Sequence, residues 1–156
     1  MKRRYLGLAV GLAAVVVAAG LALRTAQPGL PISPGVQQIL EAQKQLSPQE
    51  LAAVQALRVF AAVSLAYFTD NGRYAEPEEL KSKGYLDPKW PRVAADAYTI
   101  DCRIGEGTGF ACFADPVSGS VQRYFFVDPS QTVRVERDRR PDSNSPVFGL
   151  SKEQSR

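Results

Sequence analysis

The chain has 156 residues, with 19 Lys or Arg against 16 Asp or Glu, so its formal net charge at pH 7 is only +3. It contains no histidine and two cysteines. Without histidine, Ser-His-Asp and Cys-His catalysis and imidazole-containing zinc sites are excluded, and two cysteines cannot form a four-thiolate zinc site. Apart from three cations near the N-terminus the chain is close to neutral, which argues against a nucleic-acid-binding protein.

An apolar segment follows the basic N-terminus. Residues 1–4 include Lys2, Arg3 and Arg4, and the nineteen residues 5–23 carry no charge. Nineteen helical residues at about 1.5 Å each span roughly 28 Å, close to the hydrocarbon thickness of a bilayer. A cleaved signal peptide is the alternative, but its apolar core is normally shorter, about 7–15 residues. We therefore expect a cytoplasmic n-region over 1–4 and a transmembrane signal-anchor helix over 5–23.

This topology predicts a single-pass membrane protein whose C-terminal domain is exported. The proline- and glycine-rich residues 24–35 predict a linker through which no helix runs. Residues 36–46 have the pattern of a short amphipathic helix, which we expect to pack on the domain. We place an exported folded domain at 36–140 and a polar C-terminal tail at 141–156, where Val147 and Phe148 offer one apolar contact.

The segment 47–72 has the signals of one long helix with both ends marked. The expected N-terminal capping box consists of Ser47 and Glu50, with Pro48 at the first helical position. Gly72 suits the left-handed backbone conformation that ends many helices. Apolar or small residues recur on one face at helical spacing: Leu51, Val54, Leu57, Phe60, Ala61, Ser64, Leu65 and Phe68. A second face carries Val59, Val63 and Tyr67, so we expect more than one partner to cover this helix.

The remaining segments predict a short helix and then a sheet. Residues 77–83 have acidic residues first and lysines last, as the helix dipole prefers, and Gly84 ends the helix. From Tyr98 the apolar period changes to two, and four short segments are separated by turn residues. The expected fold class is therefore α+β, with the long helix packed on a four-stranded antiparallel sheet.

The two cysteines are placed for a cross-strand disulfide. If 105–109 closes a hairpin symmetrically, Ile104 faces Phe110, Arg103 faces Ala111 and Cys102 faces Cys112. Directly opposed Cβ atoms lie about 4.5–5.5 Å apart, close to disulfide distance, and an exported domain permits oxidation. A redox-active pair would favour Cys-x-x-Cys at a helix start, which this spacing lacks.

The carboxylates form no evident catalytic or metal site. A hydrolase using a carboxylate pair is the weakest alternative, and its candidate residues are Glu76, Glu79, Asp115 and Asp128. Helix-end and turn chemistry accounts for each of them, and no spacing resembles an EF-hand. We therefore expect no catalytic residues, no metal and no cofactor.

Two stretches carry a family resemblance: AYFTDNGRYAEPEELKSKGYL at 66–86 and FACFADPVSGSVQRYFFVDPSQTVRV at 110–135. With the preceding helix they resemble the globular domain of type IV pilins and type II secretion pseudopilins. The resemblance covers roughly residues 47–137, with Ala75 where that family commonly has proline and Gln131 where it has glycine. The matching motif positions are Tyr67, Gly72, Tyr74, Leu80, Gly84, Tyr85, Leu86, Asp128, Ser130 and Arg134.

The resemblance implies a non-enzymatic, membrane-tethered envelope protein, an accessory or interaction component of a pilus or secretion system that contacts other envelope proteins. It also implies a single-pass protein of the bacterial inner membrane, with its C-terminal domain in the periplasm or outside the cell. Pilins carry a Gly-Phe cleavage site and a glutamate early in the mature helix; segment 5–23 contains no acid. We therefore expect that this chain does not polymerise as a pilin subunit. The alternative is an exported small-ligand or calcium-binding module that shares only the fold.

Overall fold

The computed structural model describes residues 33–93, 96–105, 109–117 and 123–150. The expected n-region, the transmembrane segment and most of the linker lie outside these residues. From Pro34 onward the described chain belongs to one compact unit.

Three helices precede a single sheet. The helices are α1 (Pro34–Lys44), α2 (Pro48–Asn71) and α3 (Pro77–Ser82). The strands are β1 (Tyr98–Gly105), β2 (Gly109–Pro116), β3 (Tyr124–Val127) and β4 (Arg134–Glu136). Each strand pairs antiparallel with the next, in the order β1-β2-β3-β4. The α+β class, the long apolar helix and the four-stranded antiparallel sheet are thus confirmed.

Both ends of α2 are capped as the sequence predicts. The Ser47 hydroxyl oxygen accepts from the Glu50 amide at 3.2 Å, and the Glu50 carboxylate accepts from the Ser47 amide at 2.8 Å. At the other end Gly72 has φ 72° and donates its amide to the Phe68 carbonyl. These bonds satisfy backbone groups that have no partner within the helix.

The central helix packs one side on the inner face of the sheet. Nine of its residues are buried, among them Leu57, Phe60 and Ser64. The Phe60 ring stacks on Trp90 with centroids 5.5 Å apart and meets Phe110 edge-on at 5.4 Å. Cys112, Ala114 and Phe125 on this face of the strands are fully buried with them, so helix and sheet share one core.

Five of the eight residues on the predicted face of α2 are buried, but the buried side is rotated from that face. Leu65 is 44% exposed and Phe68 is 36% exposed, whereas Tyr67, expected on the second face, is almost fully buried. The physical reason is that α2 is apolar around most of its circumference, so spacing alone does not select the arc that meets the sheet. α1 also starts at Pro34, inside the expected linker, because proline suits the first helical position.

The β1–β2 register is the predicted one. Ile104 faces Phe110, Arg103 faces Ala111 and Cys102 faces Cys112. The two cysteine Cα atoms lie 4.0 Å apart and the sulfur atoms are at bonding distance, so the structure brings together the two cysteines that the register predicts as a pair.

The chain after β4 lies along the outer edge of that strand. The Phe148 amide donates to the Val133 carbonyl at 2.8 Å, and the Val135 amide donates to the Pro146 carbonyl at 3.0 Å. The Phe148 side chain is buried and meets Phe125 edge-on. The Val147-Phe148 pair therefore holds this segment against the sheet.

We predict that the disulfide is formed in the exported protein and stabilises the hairpin. Maleimide labelling of denatured, unreduced protein should detect no thiol, and reduction should expose two. Replacing both cysteines by alanine should lower the free energy of unfolding by about 2–3 kcal/mol, because the unfolded chain regains the entropy of a short loop. Two labelled thiols before reduction would contradict this prediction.

Candidate functional site

The first group of family-motif residues meets where α2 ends and α3 packs against it. Leu80 and Leu86 are buried there, and the Leu80 carbonyl accepts from the Tyr85 amide at 2.9 Å and the Leu86 amide at 3.1 Å. Gly84 allows this return of the chain because it adopts φ 77°. Tyr74 is also buried and lies edge-on to Phe110. These positions have a packing role.

A polar network joins the same two helices. Tyr67 donates its hydroxyl to Glu79 at 2.8 Å, and Arg73 donates to both oxygens of that carboxylate. These hydrogen bonds hold the pKa of Glu79 below its usual value, and the bond from Arg73 has the largest effect. Tyr85 donates to Asp70 at 2.7 Å, which raises the pKa of the Tyr85 phenol. The network connects α3 to the end of α2.

The second motif group lies at the β3–β4 turn. The Asp128 carboxylate accepts from the Ser130 amide at 2.9 Å, an Asx-type turn. Gln131 stands at φ 61° and donates its side-chain amide to the Ala61 carbonyl of α2 at 3.0 Å. Arg134 donates to the Ser145 carbonyl at 2.7 Å. This turn thus connects the sheet to α2 and to the C-terminal segment.

The four carboxylates of the hydrolase alternative belong to separate structural contexts. Glu76 precedes α3 and Glu79 belongs to the Arg73 network. Asp115, on the outer face of β2, is paired with Arg140, and Asp128 supports its own turn. Within the described residues no group of three or more His, Cys, Asp or Glu side chains is placed to hold a metal ion. The paired carboxylates therefore act as hydrogen-bond and ion-pair partners in this structure.

The described part of the chain has clefts, and two of them border helices. One, of about 940 Å³, is open and lies between α1 and the C-terminal segment, with Gln38, Arg123 and Phe148 in its wall. The other, of about 230 Å³, lies beside Trp90, between Val59 of α2 and the Asp87–Arg92 ion pair. The smaller cleft borders the side of α2 that faces away from the sheet.

That side, here named the outer face of α2, is apolar at five of its seven positions. It consists of Ala52, Gln55, Arg58, Val59, Ala62, Leu65 and Ala66. Val59 is 43% exposed and Leu65 is 44% exposed, and the two alanines at 62 and 66 also face solvent. A helix on the surface of a domain normally carries polar residues on this side. The sequence signal for this face is Val59, on the second apolar face that the spacing predicts. The sequence alone favours covering of that face by other parts of this chain, whereas Val59 is exposed in the structure.

Within the described residues α2 is the one helix long and apolar enough to cross a membrane. The core helix of a folded domain has the same two properties, and α2 packs on the sheet as such a helix does.

Comparison with protein-family models finds no matching family, and comparisons with curated proteins and with solved structures find no match either.

We predict a pH-dependent stabilisation by Glu79. Because its pKa is lowered in the folded state, its contribution should be complete above the unfolded-state pKa, about 4.3, and be lost as pH falls through the lower folded value. Glu79→Gln should therefore lower the melting temperature at pH 7, and the difference from the original protein should vanish in acid. Glu78→Gln is the matched control, since Glu78 is exposed and its ion pair with Lys81 lies on the surface of α3. An equal difference at every pH would contradict the prediction.

Proposed function

We propose that the chain is a non-enzymatic, membrane-tethered, pilin-like protein of the bacterial envelope that acts by protein–protein contact. It would serve as an accessory or interaction component of a pilus or secretion system. The observation that carries the proposal is the apolar outer face of α2.

This face has the spacing of a helix-binding seam. Ala52, Gln55, Val59, Ala62 and Ala66 follow one another at alternating intervals of three and four residues. That interval keeps a stripe of side chains facing a second helix packed at a shallow angle. The alanines permit a close approach of the helix backbones, and Val59 supplies apolar area in the middle of the seam.

The proposed occupant is an apolar helix of another envelope protein. Among the seven residues that define this face, Arg58 is the one cation and none is an anion. The face therefore favours an apolar partner over a charged one. Covering Val59 and Leu65 completely would contribute on the order of 1 kcal/mol each, because each is already about half covered. The smaller cleft beside Trp90 extends the apolar surface and offers room for one side chain of the partner.

We predict that Val59→Lys abolishes the contact, whereas Val36→Lys does not. Val36, on α1, is a matched control because it is the same residue type and is 47% exposed. Both variants should keep the stability of the original domain to within about 0.5 kcal/mol, since exposed positions tolerate substitution. Crosslinking in native membranes, followed by purification of the chain, should recover a partner with the original protein and Val36→Lys only. Equal recovery with Val59→Lys would refute the role of this face.

We also predict that the protein remains with detergent-extracted membranes at its full-length mass. A pilin-like helical spine would have to run through Pro28 and Pro31, and each proline inside a helix costs about 3 kcal/mol. Membranes and sheared filaments should be separated and the mass of the chain measured in each. Recovery among the filaments in a shortened form would indicate processing and assembly as a pilin.

The larger cleft favours a second candidate, the exported small-ligand or calcium-binding module. Its volume of about 940 Å³ is in the range of ligand sites, but its wall is open and partly polar. A melting temperature raised by several degrees on addition of calcium would favour this alternative.

A further inference from the structure

The two edges of the sheet differ. The outer edge of β4 is hydrogen-bonded by the segment around Pro146 and Phe148. In the described part of the chain no strand pairs with the outer edge of β1, which is eight residues long. An unpaired strand of this length presents a row of backbone donors and acceptors to any other strand.

The pattern of hydrogen bonds between β1 and β2 identifies which backbone groups of β1 are available to pair with an added strand. The Val117 amide donates to the Ala97 carbonyl, in register with the β1–β2 pairs. Hydrogen-bonded and non-hydrogen-bonded pairs alternate in an antiparallel ladder, so Thr99, Asp101 and Arg103 are bonded to β2. The backbone groups of Ile100, Cys102 and Ile104 therefore point away from β2, toward the open edge.

The inner side chains of β1 are incompletely covered. Ile100, Cys102 and Ile104 are half-buried, whereas Cys112 and Ala114, opposite two of them on β2, are fully buried. A strand added beyond β1 would place its own side chains beside these isoleucines on the same face. The edge thus offers both backbone pairing and apolar area.

The charged side chains on the outer face of β1 indicate which strand could pair with its open edge. Asp101 and Arg103 are neighbours on the outer face of β1, 2.7 Å apart as an ion pair. We propose that two copies of this chain pair through β1, antiparallel, about a two-fold axis at Cys102. In that register each Asp101 lies opposite Arg103 of the second copy, and each Ile100 lies opposite Ile104 of the second copy.

The neighbouring registers are disfavoured. Sliding the second strand by two residues in one direction places Asp101 opposite Asp101, and sliding it in the other direction places Arg103 opposite Arg103. Like charges directly opposite each other destabilise a strand pair, so the charge order selects the register centred on Cys102. Arg140, which also contacts Asp101, keeps its pairing with Asp115 and its position over Phe113.

The pairing surface is distinct from the outer face of α2, so it stands or fails independently of the proposed function. Val59→Lys should leave the dimer intact, which separates the two surfaces in one experiment.

The test uses charge reversal and mixing of full-length chains in detergent, with sedimentation equilibrium as the readout. The original protein should form a dimer. Asp101→Arg and Arg103→Asp should each raise the dimer dissociation constant by about tenfold or more, because each homodimer then opposes like charges. An equimolar mixture of the two variants should restore dimerisation, since every cross-strand pair then joins opposite charges.

The matched control is Asp87→Arg, which reverses another ion-paired surface aspartate outside β1 and should leave the dissociation constant unchanged. Rescue by mixing cannot arise from a folding defect, because neither chain has been repaired. A monomeric original protein, single variants that dimerise normally, or a mixture that remains monomeric would each overturn the proposal.

Discussion

The packing of α2 on the inner face of the sheet is the contact on which the rest of the fold depends. Phe60 lies between Trp90 and Phe110. One side chain therefore connects α2, β2 and the segment 87–92 before β1, here named the crossing segment. Ser64 is completely buried one turn further along the helix and is small enough to allow close approach to the strands. Among the described residues its hydroxyl oxygen has no hydrogen-bond partner, so burying it costs free energy of desolvation.

Hydrogen bonds then place the connecting segments around this core. Trp90 donates its indole NH to the Ala56 carbonyl at 3.1 Å, and Gln131 donates to the Ala61 carbonyl. Both acceptors belong to the backbone of α2, so the crossing segment and the β3–β4 turn are positioned by the same helix. Beyond the C-terminal end of α2, the Arg73–Glu79 ion pair positions α3. The helix thus positions the segment before β1, the β3–β4 turn and α3.

Local chemistry explains which features the sequence was able to predict. The capping box at Ser47 and Glu50 depends on residues three positions apart, and the Cys102–Cys112 register depends on a short symmetric turn. The rotation of α2 was missed because Leu65 and Phe68 are as apolar as the residues that are buried, so only contacts with distant strands distinguish them. For the C-terminal segment the sequence predicts only an apolar contact by Val147 and Phe148. The backbone hydrogen bonds between this segment and β4 are not predictable, because no short turn connects the two and fixes their register. At the candidate site, Val59 was recognised as part of a second face, but its exposure follows from the tertiary structure alone.

The covered edge of β4 has a consequence for how large an assembly of this sheet can become. Strand-by-strand growth into a fibre requires two exposed edges per molecule, one to accept the preceding unit and one to receive the next. Here the Pro146–Phe148 segment occupies one of them. A strand that joins β1 therefore meets a sheet whose opposite end strand, β4, is already hydrogen-bonded to this segment, so β4 itself is not free to receive a further copy in the described fold.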